Sequence, residues 1–379
     1  MLDVLVVGGG PVGLFLGCLL ARRELSVAVL ERRLARSGHS RAVGIHPPAL
    51  AAFEEVGLTT PLLAAGVPIT GGVVLGRGGV IGELSFRAAS PRYPLILSLP
   101  QRDTERVLEE RLARLAPGAL RRGVEVVGLR DEGGHVSVAC RESGRGETLR
   151  ARLVVGADGT RSTVRGLAGI GFPGGTYPDS YLMGDFPDTT AFGPRAAISL
   201  MEDGVVESFP LPGEQRRWVV YTETLRDDAR AQDLAALVRG RTGLHLPARD
   251  CTMLSAFGVR HHLADRMVAG RVLLVGDAAH EVSPIGGQGM NLGWLDAAAL
   301  APLLGKALGG APGAGAALLR YERARLRSAR LATRQAEFNM VFGRPARGPA
   351  RRVRDAVLRG LLSSPVQPLL ARAFTMRWL

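Results

Sequence analysis

Apolar positions along the chain change period several times, and each change marks an element. Leu2–Val7 is an unbroken apolar run, Gly8–Gly13 a glycine turn, Leu14–Arg22 a helical stretch and Ser26–Glu31 a second strand. Together they predict a strand–helix–strand unit. Pro47–Glu55 has helical spacing, and from Gly71 to Leu99 the pattern shortens into β-like runs of Gly, Val, Ile and Leu. Thr104–Leu115 is amphipathic, with Val107, Leu108, Leu112 and Leu115 on one face. Val124–Leu129 and Val136–Cys140 are strands about the turn residues Glu132-Gly133-Gly134, and Leu149–Val155 leads into Gly156-Ala157-Asp158-Gly159.

Residues 172–261 return to strand-like patterning. Ala196–Met201 and Val205–Pro210 flank Asp203-Gly204, a hairpin signal, and Trp218–Glu223 follows the polar turn Gly213–Arg217. Ala229–Arg239 interrupts as a helix. Gly270 to Gly293 reads as a buried strand ending in Gly276-Asp277, a Pro/Gly loop, and a helix opening near Gly289. Asn291–Leu308 is helical, Gly309–Gly315 a break, and the chain from Ala317 onward helical and rich in arginine. No internal repeat is visible. The order predicts an α/β protein in which a Rossmann-like domain is assembled from residues 1–70, 100–171 and 262–330. A β-sheet domain is inserted as 71–99 and 172–261, and 331–379 form a C-terminal helical segment.

Composition narrows the function classes. Of 379 residues, 46% are hydrophobic and 22% charged, which is globular rather than disordered. A net charge of +13 would suit nucleic acid or an anionic surface, but Lys306 is the single lysine and no basic–aromatic stripe accompanies the arginines. A nucleic-acid partner is therefore not expected, and the positive field better suits an anionic cofactor such as NADPH. Cys18, Cys140 and Cys251 form no CxxC pair and no metal-ligand spacing, which fits a reducing cytoplasm and no metal. Val4–Ala21 is uncharged, yet Asp3 precedes it and Gly8-Gly9-Gly10-Pro11 interrupts it, unlike a signal peptide or a membrane span. The tail from Arg344 to Leu379 sets many arginines among Val353, Val357, Leu358, Leu361, Leu362, Leu369, Leu370 and Phe374. It either lies on an anionic membrane or covers the core with a solvated arginine face, and the second is favoured.

Three motifs carry chemistry. Gly8-x-Gly10-x-x-Gly13 follows a strand and opens a helix, the context of a dinucleotide fingerprint, and Glu31 ends the next strand, where a carboxylate meets ribose hydroxyls. A glycine-rich turn of another α/β protein is the bland alternative. Val154-Val-Gly-Ala-Asp158-Gly159-Thr-Arg161-Ser162 leads toward Arg165, and alone it is equally a strand, an Asp-Gly turn and a helix capped by Ser162. In the last motif a strand delivers Asp277, and after Pro284 the run Gly286-Gly287-Gln288-Gly289-Met290-Asn291 frees backbone N–H groups at a helix N-terminus, which stabilises negative charge. His280 within it reads as a structural histidine.

In this order the motifs resemble the fingerprints of the FAD-dependent single-component (group A) aromatic monooxygenases, the p-hydroxybenzoate hydroxylase-like and aromatic polyketide hydroxylase-like family. The match spans roughly 1–60, 100–170 and 265–300. The resemblance implies an FAD-binding domain of the glutathione reductase type and a substrate-binding sheet domain. It places Gly8, Gly10, Pro11, Val12 and Gly13 at the FAD pyrophosphate and Glu31 at the ribose. Arg32, Arg41 and Gln101 fall near the phosphates, with the Val126 backbone at adenine. Asp158 and Gly159 lie where FAD and NADPH meet, and Asp277 at the ribityl–pyrophosphate region. Pro284, Gly286, Gly287, Gly289, Met290 and Asn291 fall at the flavin edge.

The implied reaction uses tightly bound, non-covalent FAD, NADPH or NADH as transient co-substrate, and O2. A flavin C4a-hydroperoxide would hydroxylate a phenolic or polyketide-derived aromatic in secondary metabolism. An FAD-dependent reductase or epoxidase of a lipid or isoprenoid is the alternative, and a flavin-binding protein without turnover a third. No catalytic acid or base emerges; His46 either faces the substrate or starts the Pro47 helix. A second Gly-x-Gly-x-x-Gly is absent, as is Trp-x-Trp-x-Ile-Pro, the tryptophans being Trp218, Trp294 and Trp378. Lys306 is no counterpart of the halogenase lysine, and the chain ends too early for the extra domain of the larger hydroxylases.

Overall fold

The computed structural model describes residues 1–36, 42–87 and 89–377. Its largest core is built around a mixed sheet in the order Val268–Ala269, Val272–Leu274, Arg145–Gly156, Leu2–Val7, Val27–Glu31, Leu120–Arg122. The inner five strands are parallel. Parallel strands of this kind are buried on both faces, which is why Val4, Leu5 and Val6 are fully enclosed. Val124–Asp131 and Val136–Glu142 extend the sheet as an antiparallel meander onto Arg145–Gly156, with a bulge where Val126 pairs with Cys140.

The helix Pro11–Ala21 lies between Gln101–Leu115 and Gly289–Leu308, and every residue from Val12 to Leu20 is buried. Trp294 bridges two of these helices, its Nε1 donating to the Pro11 carbonyl at 3.1 Å. The amphipathic helix begins at Gln101, three residues before the expected start at Thr104, directly after the N-cap position Pro100.

A second sheet runs His280–Glu281, Met253–Leu263, Gly174–Pro187, Gln215–Thr222, Gly204–Leu211, Ala196–Met201, Gly71–Gly76, Gly79–Ser85. All neighbours are antiparallel except Ala196–Met201 with Gly71–Gly76. The hairpin expected at Asp203-Gly204 turns one residue earlier, through Glu202-Asp203; Gly204, at φ +105°, opens the next strand opposite Met201.

One face of this sheet packs Leu182, Phe186, Val206 and Trp218 against Leu234 and Val238 of the helix Ala231–Thr242. The other face carries Tyr181, Met183, Val219 and Phe257 and packs on Ile285 and Met340, so it looks toward the last sequence motif. The long helix Ala314–Gly343 and the helices Gly348–Ser363 and Gln367–Phe374 complete the chain. Leu362 and Ala371 of the last two are buried against Leu84 and Phe86, and Met376 packs with Leu292 and Ala332. The tail therefore covers the core. Among the described residues no helix is long and apolar enough to cross a membrane.

Candidate cofactor and substrate site

Three loops remote in sequence meet at the carboxyl ends of neighbouring parallel strands. Gly8 follows Leu2–Val7, Ala157-Asp158-Gly159 follows Arg145–Gly156, and Gly276–Ala278 follows Val272–Leu274 as one tight helical turn. The last strand thus stops at Leu274, short of the expected Gly276-Asp277, because Gly276 turns the chain at φ +62°. Backbone hydrogen bonds lock the set: Ala157 N–H to the Val7 carbonyl at 2.7 Å and Val275 N–H to the Gly156 carbonyl at 2.9 Å. A crevice outside the carboxyl ends of a parallel sheet is where such folds bind ligands.

The first loop is shaped by steric necessity. A Cβ on Gly8 would collide with the Ala157 carbonyl and one on Gly13 with the Gly8 carbonyl, whereas Gly10 faces open space. The helix that follows starts at Pro11 with no side-chain cap, so its first amides remain free for an anion. Glu31 at the end of the next strand accepts the Gly9 N–H at 2.9 Å and the Arg33 N–H at 2.9 Å. Arg32 is exposed, and Arg41 lies outside the described residues. Gln101 donates to Glu105 at 2.8 Å, and Val126 is buried in the meander.

The middle motif is held from within. Asp158 accepts from Ser162 Oγ at 2.5 Å and from the Val164 N–H at 3.1 Å, while Ser162 caps the helix Thr163–Leu167 through the Arg165 N–H at 2.9 Å. Arg165 then joins this loop to the last one: it donates to the Ala278 carbonyl at 3.0 Å and to the Thr160 carbonyl at 2.8 Å, and stacks on Phe172 at 3.7 Å.

In the last motif, Asp277 is surrounded by protein yet keeps solvent-accessible surface, the condition of a side chain lining a crevice. Burial pushes its carboxyl up to about 6, against the pull of His280. His280 is fully buried and hydrogen-bonds Asp296 at 2.6 Å; Asp296 also takes the Gly276 N–H at 2.9 Å and Arg325 Nε at 2.6 Å. Burial alone would raise the Asp296 carboxyl, but His280 and Arg325 together hold it below its ordinary value. The helix Gly289–Leu308 opens without a side-chain cap, and the Oε1 of Gln288 before it is buried without a partner.

His46 is brought to this loop. Its N–H donates to Asn291 Oδ1 at 2.8 Å, and Asn291 Nδ2 donates to the Gly44 and Gly287 carbonyls, each at 2.9 Å. Burial pushes the imidazole down to about 4 despite backbone acceptors at Phe374 and Gly286, so the ring is neutral at pH 7. The Asp296 hub, with its partner Arg325, had no signal in the sequence, whereas Arg165 and Gln288 stood inside the motifs without a stated role. The partners of Asp296 lie at spacings with no period.

Two uncapped helix N-termini, an open Gly10 cradle and a crevice-lining carboxylate suit a long ligand that is anionic at its centre and carries hydroxyl donors. The family model described as FAD binding domain matches residues 1–336. The chain belongs to this family. It is 35% identical over 305 residues to a rifampicin monooxygenase of Streptomyces venezuelae, covering 78% of this chain and 62% of the relative. Identity to a 6-methylpretetramide 4-monooxygenase of Streptomyces rimosus is 35% over 310 residues, covering 79% and 55%. The chain thus spans less than two thirds of the length of both these relatives. Among solved structures, p-nitrophenol 4-monooxygenase of Pseudomonas putida superposes with a TM-score of 0.89 at 26% identity, over 100% of this chain and 97% of that one. The resemblance read from the three motifs is the one these comparisons return.

Proposed function

We propose that the chain is an FAD-dependent monooxygenase that uses NAD(P)H and O2 to hydroxylate a phenolic or polyketide-derived aromatic. The crevice carries this reading. One wall offers glycine loops and free helix amides to an anionic cofactor, and the facing sheet offers an apolar surface to an aromatic ring. The relatives' names, monooxygenases of rifampicin, 6-methylpretetramide and p-nitrophenol, support an aromatic substrate.

In this reading residues 1–70, 100–171 and 262–330 are a glutathione reductase-type FAD domain. Residues 71–99 and 172–261 are the substrate domain, and 331–379 close over both. The amides at Gly10–Gly13 receive the pyrophosphate, and Glu31 exchanges its backbone partner for ribose hydroxyls. Arg32 and Gln101 approach from the phosphate side, Val126 borders adenine, and Asp158 and Gly159 shape the floor. Asp277 accepts from the ribityl chain. Pro284, Gly286, Gly287, Gly289, Met290 and Asn291 line the isoalloxazine edge, where the helix N-terminus favours negative charge.

Bound there, FAD would supply two-electron transfer and the activation of O2. The protein contributes positioning, exclusion of water by the apolar sheet face, and a neutral His46 beside the loop. A single dinucleotide motif implies that NADPH or NADH docks transiently, helped by the positive field, in the cytoplasm. Hydroxylated aromatics should accelerate NAD(P)H consumption by the purified yellow protein, and heat should release FAD. Release of another cofactor, or consumption indifferent to every aromatic offered, would overturn the reading.

A further inference from the structure

A strand on the inner face of the second sheet carries a carboxylate among apolar neighbours. Along Gly204–Leu211 the side chains of Val205, Glu207 and Phe209 share one face, because side chains alternate along a strand. Register sets Glu207 opposite Ile198 on one side and Val219 on the other. Val205, Ile198, Val219 and Phe209 belong to the cluster that includes Ile285 of the fingerprint loop and Met340 of the long helix. Glu207 therefore sits on the apolar sheet face whose cluster reaches the loop of the last motif through Ile285. It is half-buried, not sealed, and among the described residues no hydrogen bond or ion pair reaches its carboxylate.

The other carboxylates of this face are treated differently. Asp185 is bound by two donors of Arg217 at 2.7 and 2.8 Å, and Asp179 by two donors of Arg344 at 2.9 and 2.7 Å. A second polar group of this face lies two strands away. Tyr181, stacked on Phe257 with ring centroids 5.6 Å apart, is buried, and among the described residues its hydroxyl has no hydrogen-bond partner. Burial first, and then the charge of Glu207, hold that phenol well above its ordinary value. A carboxylate that no protein donor reaches, set on an apolar face, is an acceptor open to a ligand's hydroxyl.

We propose that Glu207 anchors the hydroxyl group of the aromatic substrate by accepting its hydrogen bond on an otherwise apolar sheet face. The proposal rests on the aromatic reading above. An aromatic hydroxyl is a donor suited to a carboxylate acceptor. Because the site is built around that bond, an analogue unable to donate leaves Glu207 unpaired and is rejected.

The anchor is pH-sensitive. Burial pushes the Glu207 carboxyl up to about 7, and no neighbouring charge moves it. The titratable groups on the same sheet face are Tyr221 and Arg217 of the neighbouring strand Gln215–Thr222 and, one strand further, Tyr181 with Asp185 and Asp179, the last two paired with Arg217 and Arg344. From the long helix comes Glu337, hydrogen-bonded to Tyr177, and beside the loop the neutral His46. The ionised carboxylate is the stronger acceptor, so affinity for a hydroxyl falls as pH drops through about 7.

The test uses the FAD-loaded full chain and the perturbation of its flavin absorbance. Phenol, naphthol and hydroxyanthraquinone are titrated, each beside its O-methyl ether, over a pH series, in wild type, Glu207→Gln and Glu207→Leu. The expected result is a preference of about tenfold or more for the hydroxyl member in wild type, lost at low pH and reduced to a few-fold or less in both variants. FAD content checks that the variants are folded. If hydroxyl members bind and the preference and its acid limb persist in both variants, the anchor is elsewhere and the proposal falls alone. Equal binding of hydroxyl and ether by wild type also overturns it. If hydroxylated aromatics neither bind nor stimulate NAD(P)H consumption, the aromatic reading falls and takes this one with it.

Discussion

At the residue scale, the site is made by what side chains leave room for. Gly13 sits so close to the Gly8 carbonyl, and Gly8, at φ +111°, so close to Ala157, that neither position admits a methyl group. Gly13→Ala should therefore lose most bound FAD, read as the flavin-to-protein absorbance ratio, with the second sheet still folded by circular dichroism. Asp277 makes a different kind of contribution. Its carboxyl titrates near 6, and a hydroxyl donor binds the ionised form better, so FAD release should rise as pH falls through 6. Asp277→Ala should retain less FAD at all pH values, and Asp277→Asn should lose the acid limb. Flavin fluorescence on release measures both, and an Asp277→Ala variant with full occupancy and an unchanged pH profile would remove this carboxylate from the site.

At the element scale, Asp296 ties the turn after the last parallel strand to two helices, through Gly276, His280 and Arg325. Removing one member of a buried charged network leaves the others uncompensated, which costs about 3–5 kcal/mol. Asp296→Ala should show that loss in denaturant unfolding, with FAD occupancy falling in parallel; a loss within experimental error would make the hub incidental. Elements were the more legible part of this sequence. Unbroken apolar runs marked the parallel strands and a period of 3.6 the Gln101–Leu115 helix, with ends displaced where Pro100, Gly204 and Gly276 decide the turn instead of the apolar pattern. The glycine motifs were legible because their spacing is itself the steric requirement. Asp296, Arg325 and Glu207 were not, since their meaning depends on which face of a strand or helix meets a partner far along the chain. In one dimension Glu207 is only a polar break in an apolar strand.

At the scale of the whole molecule, the fold sets a polar, amide-lined wall opposite an apolar sheet and closes the far end with the C-terminal helices. Gln335 Nε2 donates to the Ala373 carbonyl at 3.0 Å, and Met376 is sealed beside Leu292. On the proposed reading this arrangement would set an aromatic ring beside the flavin edge for oxygen transfer, whereas a reductase or dehydrogenase would place a different demand on the same fold. The measurement that separates them is turnover of a hydroxylated aromatic under isotopically labelled O2, with mass spectrometry of the product. This account predicts one labelled oxygen atom per product molecule and stoichiometric consumption of NAD(P)H. Product formed aerobically with no label would contradict it.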